Sequence, residues 1–263
     1  MGQPMTHVTD SRRYGSNVPS AERRAGRSGA PAEGDFAPAL TLVAGEPPAV
    51  EEHVARRMLN LTVASIGVVV AAPVMAVVAV LVKLTSEGPI VYTQVRVGLD
   101  QREPGPTSMN HRRTKDIGGK PFRIYKFRTM QVDAEAKSGA VWATPADPRL
   151  TPVGGFLRQY RLDELPQLFN VIKGDMNIVG PRPERPQLFE TLKESVEHYQ
   201  LRQRAKPGIT GLAQISQQYD GCLDDVRRKV QYDLAYLRRR SLAQDIRIML
   251  KTVPVVLFRR GGW

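Results

Sequence analysis

Residues 157–183 read LRQYRLDELPQLFNVIKGDMNIVGPRP, and they place two adjacent carboxylates among several cations. Asp163 and Glu164 stand side by side, and Pro166 follows two residues later. The neighbouring cations are Arg158, Arg161, Lys173, Arg182 and Arg185. Arginine and lysine offset the charge of a diphosphate, and paired carboxylates can hold a divalent cation or attack phosphorus. The combination indicates a phosphate site, and a plain helix start with an acidic first turn is the structural alternative.

The same segment predicts the local structure around the acidic pair. Gly174, which is typical of a helix end, follows apolar residues with near-helical spacing, namely Leu168, Phe169, Val171 and Ile172. Pro181, Arg182 and Pro183 then predict a stiff extended loop. A rigid backbone on both sides of Arg182 would hold its guanidinium group with little loss of entropy, as bidentate phosphate binding requires. An ordinary proline turn with a solvated arginine is the alternative.

Upstream of this segment, residues 120–130 read KPFRIYKFRTM, and the alternation of their side chains is typical of a β-strand. Phe122 and Ile124 are expected to pack, while Lys126 and Arg128 present charge. A basic strand is often only a solvated surface, so the pattern alone does not establish a binding site.

Three motifs, in the same order, resemble those of the bacterial sugar transferase family. They are KFRTM ending at Met130, LDELPQLFNVIKGDMNIVGPRP over 162–183, and KPGITGLAQ starting at Lys206. Long motifs that recur in order are far more specific than a single short pattern. The resemblance covers residues from Arg56 to the C-terminus. It implies a monotopic phosphoglycosyl transferase, which moves a sugar 1-phosphate from a nucleotide diphosphosugar onto a polyprenyl phosphate.

The resemblance also implies a role for each site residue. Asp163 would attack the phosphorus that bears the sugar, giving a covalent aspartyl phosphosugar and UMP, and the lipid phosphate would then attack this intermediate. Glu164 would bind Mg²⁺, the implied cofactor, which bridges the diphosphate. The residues implied to bind the diphosphate or nucleotide are Lys126, Arg128, Arg158, Pro181, Arg182 and Pro183.

The implied donor is a UDP-sugar and the implied acceptor is undecaprenyl phosphate, in the first membrane step of exopolysaccharide or glycoconjugate assembly. The expected location is the cytoplasmic face of the bacterial inner membrane, where anionic lipid would be a further partner. Many family members carry Trp near Ala213 and an Asn-Gly-Arg stretch where this chain has Ser216, Gln217 and Gln218. The missing arginine puts one substrate contact in doubt. No stretch identifies the sugar, and a homodimer is left open.

An apolar segment precedes these motifs. Residues 58–82 contain no charged side chain and are long enough to span a bilayer. Pro73 near the middle lacks a backbone donor and predicts a kink. Arg56 and Arg57 precede the run and Lys83 follows it, so the positive-inside rule gives no direction. A re-entrant helix hairpin with its break at Pro73 fits both features and is what the resemblance implies, whereas the residues alone leave a single span open.

Composition divides the chain into three parts. Residues 1–50 are rich in Gly, Pro, Ala, Ser and Arg without an apolar period, which predicts a disordered basic tail, and no signal peptide is expected there. Residues 51–85 form the predicted membrane hairpin and 86–263 the predicted cytoplasmic catalytic domain. The single cysteine, Cys222, excludes an internal disulfide, and four scattered histidines give no zinc spacing.

The overall pattern predicts an α+β fold, mainly helical with a small β-hairpin. Besides 120–130, a strand is expected from Ile90, and 100–119 reads as a loop. Helices are expected at 154–160, 187–204 and 224–240, with a short exposed one after Asp133. An apolar C-terminal segment flanked by Arg and Trp predicts an interfacial helix on the lipid headgroups, with a core helix as the alternative.

The net charge of +12, from 38 basic and 26 acidic residues, predicts a polyanionic partner. A second class of function is therefore open, namely a membrane-anchored basic scaffold or a nucleic-acid-binding protein without catalysis. That class would account for the charge and the apolar segment, but not for an acidic pair set among arginines. No basic helix with interleaved base-reading side chains is seen in the sequence, so no nucleic-acid partner is expected.

Overall fold

The computed structural model describes residues 53–101, 118–134, 147–217 and 222–257. The tail predicted at 1–50, most of the 100–119 loop and most of the helix predicted after Asp133 lie outside the described residues.

Seven α-helices and four short strands make up the described part of the chain. The helices are α1 Val54–Thr85, α2 Gly154–Gln159, α3 Gln167–Lys173, α4 Pro186–Ser195, α5 Leu212–Ser216, α6 Leu223–Arg238 and α7 Leu242–Leu257. The strands are β1 Val91–Val97, β2 Pro121–Phe127, β3 Asn177–Val179 and β4 Gly208–Thr210. Two 3-10 turns, Leu162–Glu164 and Tyr199–Arg204, complete the order. The expected fold, mainly helical with a small amount of sheet, is confirmed.

Strands β1 and β2 form the predicted antiparallel hairpin, with Tyr92 opposite Lys126 and Gln94 opposite Ile124. Ile124 is buried in the main core. Because side chains alternate along a strand, Lys126 lies on the same face as Ile124 and is directed inward. The hairpin therefore delivers one lysine to the interior rather than a wholly solvated basic face.

Strands β3 and β4 pair in parallel, with Asn177 opposite Gly208 and Val179 opposite Thr210. The backbone segments at Gly208 and Gly180 come so close that a Cβ on Gly208 would lie 2.1 Å from the backbone nitrogen of Gly180. Only glycine fits such an approach. The third motif, 206–214, thus contains β4 and the start of α5.

The main core lies between α3–α7 and the β3–β4 pair, around the buried rings of Phe189, Tyr199 and Tyr236. One predicted helix, 187–204, is wrong in its length. Helix α4 ends at Ser195, and His198 has a φ of 60°. A left-handed residue cannot continue a right-handed helix, so the chain resumes as the second 3-10 turn.

Helix α7 is apolar on two sides. Ile248 on its inner side is fully buried in the core. Its outer side exposes Leu242, Ile246, Leu250 and Val253. The core-helix alternative thus describes the inner side, whereas an interfacial location for the outer side stays a prediction.

Helix α1 is uninterrupted through Pro73, and it is the one described helix that is long and apolar enough to cross a membrane. The hairpin with a break at Pro73 is therefore not confirmed. Near its start Arg56 forms a buried ion pair of 2.7 Å with Asp245, and Asn60 Oδ1 accepts a hydrogen bond of 2.7 Å from the Ile178 N–H. Near its end Val78 and Val82 pack with Phe127 and Leu157. Both ends of α1 therefore pack on one domain. Between them, no side chain of the helix from 65 to 77 is buried.

Candidate active site

A short turn brings the acidic pair into the interior. After α2 the chain passes through Arg161, whose φ of 54° is uncommon for a residue with a side chain, and enters the Leu162–Glu164 3-10 turn. The Arg161 carbonyl accepts a hydrogen bond of 3.1 Å from the Glu164 N–H. Asp163 and Glu164 are only 5% and 6% exposed as a result. Two carboxylates this deeply buried require cationic partners.

Among the described residues, three cationic side chains lie close to the Glu164 carboxylate. Arg182 approaches it with two nitrogens, Nη2 at 2.5 Å from Oε1 and Nη1 at 3.3 Å from Oε2. Lys126 Nζ lies 2.8 Å from Oε1, and Arg161 Nη1 lies 3.8 Å from Oε2. Burial raises the pKa of Glu164, but Arg182 and Lys126 together outweigh it and hold that pKa well below its ordinary value. Glu164 is thus a fixed negative charge.

Asp163 is held differently. Lys126 Nζ lies 3.5 Å from its Oδ2, and the charges of Arg158 and Arg182 also act on it. Burial raises the pKa of Asp163, Lys126 lowers it and the neighbouring Glu164 raises it, with a net upward shift. Two adjacent carboxylates whose pKa values shift in opposite directions indicate two different chemical roles.

The predicted stiff loop around Arg182 is held by two further arginines, the buried Arg202 and the partly buried Arg96. Arg202 Nη2 donates a hydrogen bond of 3.0 Å to the Arg182 carbonyl, and Arg96 Nη1 donates one of 3.1 Å to the Pro183 carbonyl. Arg202 itself is fully buried and paired with Asp233 at 2.7 Å. These contacts fix the backbone that carries the Arg182 side chain. Neither arginine was expected at the site, because a hydrogen bond to a main-chain carbonyl leaves no pattern in the sequence.

Asn170 connects the acidic segment to the strand that carries Lys126. Its Oδ1 accepts a hydrogen bond of 3.0 Å from the Tyr125 N–H, and its Nδ2 donates one of 2.7 Å to the Arg123 carbonyl. The side chain is fully buried and pairs with β2 much as a neighbouring strand would. This connection sets the position of Lys126 against the pair. This contact was not predicted from the sequence. A polar asparagine within an apolar helical segment does indicate a buried side chain that needs hydrogen-bond partners.

Arg128, expected at the diphosphate, lies elsewhere in the structure. It is 4% exposed, and its Nη2 donates to the Ser86 carbonyl at 2.6 Å and to the Ser86 hydroxyl at 2.7 Å, just after α1. Within the described residues its Nε and Nη1 have no hydrogen-bond partner. The structure therefore brings Asp163, Glu164, Lys126 and Arg182 together, with Arg158 close enough to act on Asp163, but not Arg128.

The acidic pair has the donors that a magnesium ion uses. In the described ranges no group of three or more His, Cys, Asp or Glu side chains could hold a metal without help. Mg²⁺ is commonly bound by one or two carboxylates together with substrate phosphates, so the donor set of Asp163 and Glu164 fits a magnesium ion that arrives with its substrate. Such an ion would share Glu164 with Lys126 and Arg182.

Comparison with known proteins extends these observations. The chain is 38% identical over 207 residues to UDP-N-acetylgalactosamine-undecaprenyl-phosphate N-acetylgalactosaminephosphotransferase of Aeromonas hydrophila, covering 79% of this chain and 44% of that protein. It is 39% identical over 200 residues to UDP-glucose:undecaprenyl-phosphate glucose-1-phosphate transferase of Klebsiella pneumoniae, covering 75% and 39%. A protein of the same name from Caulobacter vibrioides is 36% identical over 221 residues, covering 83% and 76%.

The chain spans less than half the length of the first two of these relatives. Residues 51–259 match the family model described as bacterial sugar transferase, and this range includes every candidate site residue named above. The chain therefore belongs to the bacterial sugar transferase family.

Proposed function

We propose that this protein transfers a sugar 1-phosphate from a UDP-sugar to undecaprenyl phosphate and releases UMP. The observation that carries the proposal is the buried Asp163–Glu164 pair, whose two carboxylates have oppositely shifted pKa values and share Lys126. The names of the similar proteins support the substrate class, because both name a UDP-sugar, undecaprenyl phosphate and the transfer of a sugar phosphate.

In the first step, a carboxylate oxygen of Asp163 attacks the phosphorus that bears the sugar. A new bond forms between this oxygen and phosphorus while the bond from phosphorus to the bridging oxygen breaks. The bridging oxygen keeps the electron pair and departs as part of UMP. The upward-shifted pKa makes the ionised Asp163 a stronger base and a better nucleophile than an ordinary aspartate.

In the second step, an oxygen of the lipid phosphate attacks the same phosphorus. The acyl-phosphate bond to Asp163 breaks, and its electron pair restores the free carboxylate. The products are the polyprenyl diphosphosugar and an enzyme ready for another turnover. Lys126 and Arg182 stay in place through both steps and offset the negative charge on the transferring group.

Glu164 is the residue we assign to Mg²⁺. When bound, the ion would supply charge neutralisation of the diphosphate and of the departing UMP oxygen. Glu164 is suited to this role because the downward shift of its pKa favours the ionised carboxylate that a cation requires. Arg182 and Lys126 orient the Glu164 carboxylate, and their hydrogen bonds to it leave little freedom for the side chain to turn away.

We further propose that the protein is monotopic, at the cytoplasmic face of the inner membrane. A helix of 32 residues is about 48 Å long at 1.5 Å per residue. If α1 crossed a hydrocarbon core of about 30 Å, its two ends would lie on opposite sides of the membrane. Both ends instead pack on the same domain, through Arg56 and Asn60 at one end and Val82 at the other. That packing supports an arrangement in which only the unburied middle of α1 enters the lipid.

The decisive experiment is a panel of UDP-sugars, each incubated with Mg²⁺ and the purified protein in detergent, first without and then with undecaprenyl phosphate. UMP should appear for at least one sugar, and mass spectrometry without the acceptor should detect one sugar-phosphate adduct per chain. Asp163→Asn should give neither UMP nor adduct. An adduct on Asp163→Asn would show that another residue is the nucleophile. No UMP with any sugar would favour the basic scaffold function instead.

A further inference from the structure

A cavity of about 260 Å³ lies beside Glu164 of the acidic pair. Arg161 and Glu164 border it at one end. Most of the remaining wall is hydrocarbon, from Leu165, Leu168, Ile209, Ile215, Val255 and Val256. The cavity thus combines two charged side chains, one of them the sequence neighbour of the proposed nucleophile, with an otherwise largely apolar lining, which suits an amphiphile.

The polar groups on this wall are largely committed to the protein. The hydroxyls of Thr210 and Thr252 are hydrogen-bonded to each other at 2.8 Å, and Gln214 Nε2 donates to the Ile209 carbonyl at 3.0 Å. Only Gln214 Oε1, among the hydrogen-bonding atoms of these three side chains, has no partner in the described residues. One acceptor is too little to recognise a nucleobase or a sugar, and the volume lies below the range usual for ligands of that size.

The cavity also lies next to the exposed apolar surfaces of the protein. Leu168 on its wall contacts α1, where a Cβ on Gly67 would lie 3.3 Å from Leu168 Cδ1. Val255 and Val256 belong to α7, which also exposes Leu250 and Val253. A chain that leaves the cavity between these two helices would therefore continue along hydrocarbon side chains rather than into water.

We infer that this cavity holds the first isoprene units of the polyprenyl phosphate acceptor, with the phosphate at the Arg161 end. The inference rests on the proposed function and adds to it a binding site for the acceptor on named residues. It also separates the two substrates in space, because the nucleotide sugar would approach from the Lys126 and Arg182 side of the pair.

The test compares two tryptophan variants of α7, three residues apart. Val256→Trp fills the cavity, whereas the matched control Val253→Trp adds the same side chain at an exposed position that does not line the cavity. Val256→Trp should raise the KM for undecaprenyl phosphate at least about tenfold, which corresponds to the loss of one well-packed apolar contact. Adduct formation from UDP-sugar alone should stay within about twofold of wild type. Val253→Trp should change neither quantity.

Equal KM values for the two variants would overturn the inference, as would a Val256→Trp defect confined to adduct formation. Absence of adduct and UMP in the wild type would instead overturn the proposed function.

A second measurement does not depend on a variant that folds. A polyprenyl phosphate with a photoreactive group on its first isoprene unit should label Ile215 or Val256 in the wild-type protein. Excess undecaprenyl phosphate should suppress the label, while excess phosphatidylglycerol should not. Suppression by phosphatidylglycerol would show that the cavity takes hydrocarbon chains of any lipid, and labelling elsewhere would show that the acceptor binds at another place.

Discussion

The ammonium group of Lys126 lies 3.5 Å from Oδ2 of Asp163, and of the charges around that carboxylate it lowers the pKa most. Burial acts in the opposite direction and is the larger effect. Lys126 thus limits how far the pKa of Asp163 rises, which keeps the carboxylate ionised enough to act as a nucleophile while burial makes it more basic.

The first prediction concerns the pH dependence of adduct formation. Asp163 reacts only when ionised, so the rate should rise with pH through its raised pKa and then level off. Lys126→Met removes the main lowering charge, so the pKa of Asp163 should rise further and the acid limb should move to higher pH. Adduct formation measured by mass spectrometry across pH would show the shift. Lys173 is an exposed lysine that is hydrogen-bonded to Tyr125. The control variant Lys173→Met should therefore leave the acid limb of the pH profile in place.

The second prediction separates the roles of the two carboxylates. Glu164→Gln should reduce turnover severely. A neutral amide is a poor ligand for Mg²⁺, and it cannot form ion pairs with Arg182 and Lys126. Raising the Mg²⁺ concentration should restore part of the activity. The defect of Asp163→Asn should not respond to Mg²⁺ at all. Identical magnesium titrations for both variants would contradict the assignment of Glu164 to the metal.

The third prediction tests whether Arg202 positions the Arg182 loop. Arg202→Met removes one side of the buried Arg202–Asp233 ion pair and should lower the free energy of unfolding by about 3–5 kcal/mol. The double variant Arg202→Met, Asp233→Leu removes both charges and should recover most of that stability. It should still lose roughly tenfold in kcat/KM, because the Arg182 carbonyl has lost its donor. Denaturant unfolding and turnover are the two measurements. Full recovery of both would show that Arg202 acts only on stability.

The fourth prediction concerns the close approach of β4 to Gly180. Gly208→Ala would place a Cβ 2.1 Å from the Gly180 nitrogen, so the two segments must move apart, at a cost of about 1–3 kcal/mol in the free energy of unfolding. Gly155→Ala is a matched control, because its Cβ would have its nearest neighbour at 3.9 Å. A Gly208→Ala protein as stable as the Gly155→Ala protein would contradict the observed spacing.

The fifth prediction concerns topology. Val54 and Leu84 are both almost fully accessible, near opposite ends of α1. Single cysteines at these positions, in a Cys222→Ser background, should both be protected from a membrane-impermeant thiol reagent added outside intact cells. Both should react after the cells are opened. Labelling of one position alone from outside would establish a helix that crosses the membrane.

Local patterns in the sequence were enough for the elements that have a clear period. Strand β2 and helix α6 lie where alternation and helical spacing predict them. The pairing of β3 with β4 could not be predicted, because three-residue strands have no period and their contact joins segments about thirty residues apart. Arg128 was assigned to the diphosphate through the family resemblance, and in the structure it follows the end of β2 and is hydrogen-bonded to Ser86.

The sequence indicated which charged side chains lie near one another at the candidate site, but not the contacts that hold them there. The sequence placed Asp163, Glu164, Lys126 and Arg182 at one site, and the structure brings these four together. Their chemical roles stay predictions. Asn170 was not foreseen, because its amide serves the backbone of a distant strand, and such contacts depend on the fold rather than on neighbouring residues.

Attachment of α1 to one domain at both of its ends has a consequence for the choice of membrane. A helix that crosses a bilayer must match the thickness of the hydrocarbon layer by tilting, by thinning the lipid or by oligomerising. In the proposed arrangement α1 enters from one leaflet only, and its depth is set by its attachments through Arg56 and Val82. Hydrophobic mismatch, which sorts spanning proteins among membranes, would therefore act only weakly on this chain, and bilayers of longer or shorter acyl chains would present its site with lipid phosphates at the same height.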